Sequence, residues 1–366
     1  MRDRLHADLR ELMLLPGLSG HEDRVRRAIA AKLAEAGISA RSDRLGNLIA
    51  SFKGDADAPS VMLFTHMDQL GFVVRKIEDD GLIRVERLGG VPERAIASQA
   101  VVLATADGDV PAIIANKSHH ATRPDEKLTV VTTPDIFIDT GHGSKQAVEA
   151  AGIRIGTPVT YKPNVIDMAG DRMAGTSVDD RAGCAVLLEV ARGLAARGGG
   201  PTVHVVFSVQ EEFNLRGAVV AAQALKPDIA IQIDLMLATD TPEMDDRGEM
   251  RLGGGPGISL YSFHGRGTLN GVIPHPAMVR LFEETASAEA MPLQRSAQVG
   301  VLTDLSYVQL VGEGVASIDV GFPMRYSHSS LEMCDLDDLE ALIRLLGAAL
   351  ARIGPDFPLN RDEAFS

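Results

Sequence analysis

Residues 205–214 read VVFSVQEEFN, an apolar, β-branched run that ends in two adjacent carboxylates, Glu211 and Glu212. Burying even one unpaired carboxylate is costly. The pair therefore either stands in water at a loop or faces a cation. Comparable stretches recur along the chain. VMLFTHMD ends in His66 and Asp68, and IAIQID ends in Asp234. Asp179 and Asp180 precede a helical run, and FPMRYSHSSLE offers His328. In open α/β sheets, sites gather in the crevice beyond the carboxyl ends of strands, so five such segments converge by topology alone. Two imidazoles with several carboxylates and no thiolate suit Zn, Co or Mn. The set is large enough for two ions if one carboxylate bridges them. Neighbouring residues on an extended chain point to opposite sides. One of Glu211 and Glu212 can then bind metal while the other stays free as a base.

The elements that must carry these residues alternate in type. RDRLHADLRELMLL has apolar positions at helical spacing (Leu5, Leu9, Leu12, Met13) and stops at Pro16-Gly17. Ser19 and Glu22 are spaced as a capping box for a second helix, HEDRVRRAIAAKLAEAG. Strands are expected at ISARSD, GNLIASF and PSVMLFTH. From about residue 70 to 165 the texture changes to short β-like runs (GFVVRKI, GLIRVERL, AVVLATA, VPAIIANK, TPVTYK) with one helical piece, SKQAVEAAG. From DDRAGCAVLLEVARGLAARGGG onward, strands and helices alternate again. This predicts an α/β layer architecture interrupted by a β-rich insertion.

A chain of 366 residues is too long for one small core and suggests two domains. Its formal charge of -14 argues against nucleic-acid or anionic-membrane partners, which need a basic face. Two cysteines offer no disulfide framework, so a reducing cytoplasm is the simplest home. The charged amino terminus does not read as a signal peptide, and no apolar run approaches the length of a membrane span.

The ordered set His66-x-Asp68, Asp179-Asp180-Arg181-x-Gly183, Glu211-Glu212, Asp234 and Arg325-Tyr326-x-His328-Ser329 resembles the tetrahedral aminopeptidases. These are dinuclear metallopeptidases that include glutamyl, leucyl and lysyl aminopeptidases, and some carry an endoglucanase label. The likeness runs from PGLSGHE and GNLIA to RYSHSSLE and DLDDLEAL, almost the whole chain. It implies a mixed-sheet, phosphorylase/hydrolase-like α/β/α catalytic domain over 1–69 and 166–366. A β-barrel-like dimerisation domain over 70–165 would be inserted in it. It further implies two divalent ions, Zn or Co before Mn, with His66 and Asp234 on one and Glu212 and His328 on the other. Asp179 would bridge them, taken over Asp180 because the first aspartate of that pair has this role in relatives. Glu211 would be the general base, with Asp68 accepting the other ring N–H of His66. The implied activity is hydrolysis of amino-terminal residues from short peptides by metal-activated hydroxide. The implied assembly is a homo-oligomer built from dimers, in relatives often a dodecamer.

A deacylase or carboxypeptidase of the related zinc clan uses a similar ligand set, but there the extra domain enters later in the chain. Here it lies between His66 and Asp179. A non-catalytic scaffold would be expected to lose the base or a ligand, and glycan hydrolysis needs a metal-free carboxyl pair. Asn214, Leu302 and Leu305 depart from the family pattern, as does YSFHGRGTLNG. These touch specificity, for which Arg266 and Arg325 are candidates to receive an acidic substrate side chain. His119-His120 reads as a surface pair, and Cys184 as core.

Overall fold

The computed structural model describes residues 1–264 and 271–362. Two amphipathic helices, α1 (Arg2–Met13) and α2 (Asp23–Glu35), open the chain. Strands β1 (Ala40–Ser42), β2 (Leu48–Phe52) and β3 (Val61–His66) follow. Every residue of β3 is buried, as a central strand covered on both faces requires. The chain then leaves the sheet through β4 (Gly71–Ile77), β5 (Ile83–Leu88), β6 (Ala100–Thr105), β7 (Gly108–Ile114), β8 (Ile138–Asp139), helix α3 (Lys145–Ala150) and β9 (Pro158–Tyr161). These six strands close into a small barrel in the order β4-β5-β8-β7-β6-β9. The barrel has its own core around Phe72, Val85, Leu103, Ile138 and Val159.

The chain returns through β10 (Val165–Asp167) and β11 (Arg172–Gly175) to the long apolar helix α4 (Val178–Ala196). Next come β12 (Val203–Ser208), α5 (Gly217–Leu225), β13 (Ile229–Leu237), β14 (Gly257–Phe263), β15 (Gly271–Val272), α6 (Pro276–Ala288) and β16 (Gln294–Val299). The last elements are α7 (Leu305–Val308), β17 (Ala316–Met324), β18 (Glu332–Asp335) and α8 (Leu336–Leu350). The main sheet runs β1-β2-β12-β3-β13-β17-β14-β15, with β16 beside β14. Its centre, β12-β3-β13-β17, is parallel, and its flanks pair antiparallel except for β16, which runs parallel to β14, so the sheet is mixed. One face packs on α1, α2, α4, α6 and α8, around Leu63, Leu187, Ile231, Phe282 and Leu346. The other face carries α5 and α7 over Met62, Phe64, Val206 and Ala230. Among the described residues, no helix is long and apolar enough to cross a membrane.

Three local expectations change. Ser19 and Glu22 form no capping box, because both side chains turn toward the strand ends. Ser19 Oγ donates to Asp68 Oδ2 (2.6 Å), and Glu22 Oε1 accepts from the amides of Gly20 (2.7 Å) and Gln210 (3.1 Å). Glu211 and Glu212 do not lie on extended chain. Gln210 (φ 58°), Asn214 (φ 63°) and Leu215 (φ 57°) take the left-handed conformation and curl 210–215 into a turn. Asn adopts that conformation at little cost, so Asn214 suits its place in the turn. Finally, β13 does not stop at Asp234 but runs on to Leu237, paired with Met324. β10, β11 and β18, too short and mixed in pattern to register in the sequence, make a separate three-stranded sheet.

Candidate active site

All seven candidate residues gather where β3, β12, β13 and β17 finish. His66 is the last residue of β3, and Asp234 stands in the adjacent β13. The 210–215 turn after β12 brings Glu211 and Glu212, and the loop between β17 and β18 brings His328. Asp179 arrives at the start of α4, where Asp179 and Asp180 are non-helical. His66, Asp180 and Asp234 offer ligand atoms within 4.8 Å of one another, as do Asp179, Glu212 and His328.

Asp179 joins the two groups. Its Oδ1 lies 3.0 Å from His66 Nε2 and its Oδ2 3.5 Å from His328 Nε2. Glu212 Oε1 is 3.9 Å from the same His328 nitrogen, and it is buried with no hydrogen-bond partner. Asp180 is otherwise engaged. Its Oδ1 accepts the Gly183 amide (3.0 Å) and caps α4, while its Oδ2 accepts Thr65 Oγ1.

Four supports position the cluster. Asp68 is fully buried and accepts the amides of Glu211 and Glu212, one on each oxygen at 3.0 Å, besides Ser19 Oγ. His66 Nδ1 donates to the Asp68 carbonyl (3.2 Å), with the Asp68 carboxylate at 3.5 Å, so the main chain of Asp68 holds the ring more closely than its side chain does. Glu332, on β18, accepts the amides of His328 (2.8 Å) and Asp179 (3.0 Å), one on each oxygen. From the barrel side, the Gly90 carbonyl takes the Nδ1–H of His328 (3.1 Å), leaving Nε2 turned to Asp179 and Glu212. Arg181, completely buried, donates to the Leu12 carbonyl (3.0 Å) and to Gln69 Oε1 (3.3 Å), tying the end of α1 to the loop after His66.

The electrostatics show a site short of positive charge. Burial, together with the charges of Glu212, Asp234 and Asp304, pushes Glu211 well above the usual carboxylate range. Burial also raises Glu212 and Asp234 to about 7 each, against the pull of His328 on the first and His66 on the second. Burial opposes a charged His66 and His328. Asp179 and Asp68 nonetheless raise His66, and Glu212 and Asp179 raise His328 to about 9. Asp68 alone is held low, because burial is outweighed by His66, Ser19 and the Glu211 amide. Six buried carboxylates around two imidazoles form a hard, anionic donor set with an orphaned oxygen in it. That is the chemistry of a divalent-cation site.

Several buried acids around the cluster were not singled out in the sequence. Glu332, Asp304 and Asp319 are buried acids in apolar or mixed strands and loops, without a spacing that marks them. Asp304 accepts from Ser208 Oγ (3.1 Å), and burial lifts it to about 7. Among the other candidates, Arg325 is committed to Asp240 by two hydrogen bonds of 2.8 and 2.7 Å. Arg266 lies outside the described residues. His119 and His120 stand exposed in a short turn, and Cys184 is buried in α4.

Known proteins share this sequence pattern and fold. A family model described as M42 glutamyl aminopeptidase matches residues 46–345. A lysyl aminopeptidase of Pyrococcus furiosus is 31% identical, over 95% of this chain and 97% of its own. The structure of an aminopeptidase from the archaeon Desulfurococcus kamchatkensis superposes with a TM-score of 0.90 at 32% identity, covering 97% of each chain. A Pyrococcus horikoshii TET1 peptidase, described as assembling into a tetrahedron or a large octahedral shell, superposes with a TM-score of 0.85 at 25% identity, covering 95% of this chain and 99% of its own. Fold and site define a hydrolase acting on peptide bonds. The chain belongs to the M42 glutamyl aminopeptidase family.

Proposed function

We propose that the protein removes amino-terminal residues from short peptides with the help of two divalent metal ions. His66 and Asp234 would hold one ion and Glu212 and His328 the other, with Asp179 placed to serve both. The observation that carries this reading is the Asp179 carboxylate, whose two oxygens face the Nε2 atoms of His66 and His328 at 3.0 and 3.5 Å. Asp180, its own oxygens occupied by Thr65 and Gly183, is left as the cap of α4.

When bound, the two ions would supply Lewis-acid activation of a water and of the scissile carbonyl. Glu211 is the general base. Its carboxylate takes a proton from the attacking water and delivers it to the leaving amine nitrogen as the C–N bond breaks. Burial raises its affinity for that proton, which suits a group that must accept and then release it. Asp68 fixes the two glutamates through their amides and His66 through its ring, so base and ligands keep a constant relation. A free amino group on the substrate finds carboxylates around it, which favours cutting from the amino end.

We further propose that residues 70–165 are a dimerisation element of a homo-oligomer. The barrel exposes Ile113, Leu128, Val130 and Val131, apolar side chains that a partner surface would cover, and the Pyrococcus horikoshii relative assembles into closed shells.

Dialysis against a chelator is expected to lower aminoacyl-p-nitroanilide hydrolysis by about 100-fold or more. Zn or Co should restore it, with two ions per chain by elemental analysis. Activity that survives in verified metal-free protein refutes the metal mechanism. Cleavage of N-acyl amino acids in place of free-amino substrates supports a deacylase instead. Gly90→Ala probes the His328 support. A Cβ there meets His328 Nδ1 at 2.7 Å, so the ring must move, and metal affinity should fall by roughly 10- to 100-fold. Unchanged metal content at limiting Zn would show that the Gly90 contact does not hold the ring.

A further inference from the structure

A second arrangement of buried polar atoms adjoins Asp234. Asp319 of β17 sits opposite Gln232 of β13 and so shares a sheet face with Asp234, two residues further along. At 3.3 Å per residue, the offset from Asp234 is about 6.6 Å. Between them is a cavity of about 20 Å³, bounded by Leu235, Tyr261, Ser262, Gln298, Val301 and Asp319. Three acceptor atoms of these residues have no hydrogen-bond partner: Asp319 Oδ2, Ser262 Oγ and Gln298 Oε1. Their side chains belong to residues only 4%, 3% and 7% exposed. Buried polar atoms are ordinarily paired, and a buried carboxylate oxygen without a donor is costly. The other oxygen of Asp319 is satisfied by Thr303 Oγ1 at 3.0 Å. No described residue lining the cavity carries a positive charge.

A compact cation with several donors would satisfy all three acceptors. An ammonium group brings three N–H donors and one charge, and it is small. A lysine reaches it on a flexible four-carbon stem, which Leu235 and Val301 can line. A carboxylate side chain would instead be repelled by Asp319. We propose that this cavity seats the side-chain ammonium of the substrate's first residue, making the enzyme selective for lysine or ornithine at the amino end. This rests on the reading of the neighbouring cluster as the place where the first peptide bond is cut.

The test compares lysyl-, norleucyl- and glutamyl-p-nitroanilide on the Zn-reconstituted enzyme. Norleucine keeps the stem and lacks the ammonium. The lysyl substrate should exceed the norleucyl one in kcat/KM by about 100-fold. Asp319→Asn should bring that ratio close to one while norleucyl turnover persists, and Ser262→Ala should lower it by less. Binding of L-lysinamide against L-norleucinamide, measured by calorimetry, is independent of turnover. Lysinamide should bind about 10-fold tighter, and Asp319→Asn should abolish the difference. Equal kcat/KM values, or equal affinities, overturn the assignment and leave a cavity for water alone. A uniform loss on all substrates in Asp319→Asn also overturns it, by showing a structural role. Should only N-acyl substrates be cleaved, the aminopeptidase reading fails, and the calorimetric comparison still decides the cavity.

Discussion

Glu211→Gln is expected to keep both metal ions and lose turnover by about 100-fold or more, with little change in KM. The substitution preserves volume and the amide that Asp68 Oδ1 accepts at 3.0 Å, so the 210–215 turn keeps its anchor. What disappears is the carboxylate that must hold a proton between attack and departure. Glu212→Gln makes the contrast. It removes a charge from the group formed with Asp179 and His328, so its primary loss should be metal content. The two neighbours thus separate by readout: elemental analysis moves in one variant and kcat at full occupancy in the other. Glu211→Gln should also stabilise the metal-free protein, because it deletes a buried carboxylate crowded by Glu212, Asp234 and Asp304. Near-normal kcat in Glu211→Gln would dismiss the base assignment. Loss of metal in it would make Glu211 a ligand.

Part of the cluster was legible in the sequence because His66 and the Glu211-Glu212 pair stand at or just past strand ends, where topology leaves little freedom. His66, Asp234 and the Glu211-Glu212 pair follow apolar runs whose strand character is unambiguous. The turn that carries the glutamates was not legible as a turn, since Gln210 and Leu215 at positive φ have no composition signal. Ser19 and Glu22 were misleading for a physical reason. Their spacing suits a helix cap, yet Asp68 and the Gln210 amide are competing partners that only the tertiary structure supplies. Glu332 and Asp319 fall in short or wholly buried strands, where an acid looks like an interruption of the pattern. Their roles depend on which amides and hydroxyls other segments bring to them. The Thr65 hydroxyl and the Gly183 amide that occupy Asp180 are likewise brought to it only by the folded chain.

The metal-free protein should become less stable as pH rises, which is the reverse of the usual acid-side behaviour. Glu212 rises from 4.5 to about 7 in the folded chain, Asp234 from 3.8 to about 7, and Asp319 from 3.8 to about 8, burial being the main cause in each. Between the ordinary and the raised value, the folded state holds protons that the unfolded state has released. Unfolding free energy therefore falls with pH across roughly 4 to 8. His328 acts in the same direction: raised from 6.5 to about 9, it stabilises fully below 6.5 and loses that contribution as pH climbs through 9. Asp68, held low, opposes this trend only in strong acid. Bound divalent ions remove the penalty, since they take the deprotonated forms of the same groups, and their affinity grows with pH. Melting of chelated protein from pH 5 to pH 8.5 should show Tm falling by about 5 °C or more. The gap between Zn-loaded and metal-free protein should widen over the same range. A metal-free Tm that stays level or climbs would mean these carboxylates ionise without hindrance, and the cluster would then have no call for cations.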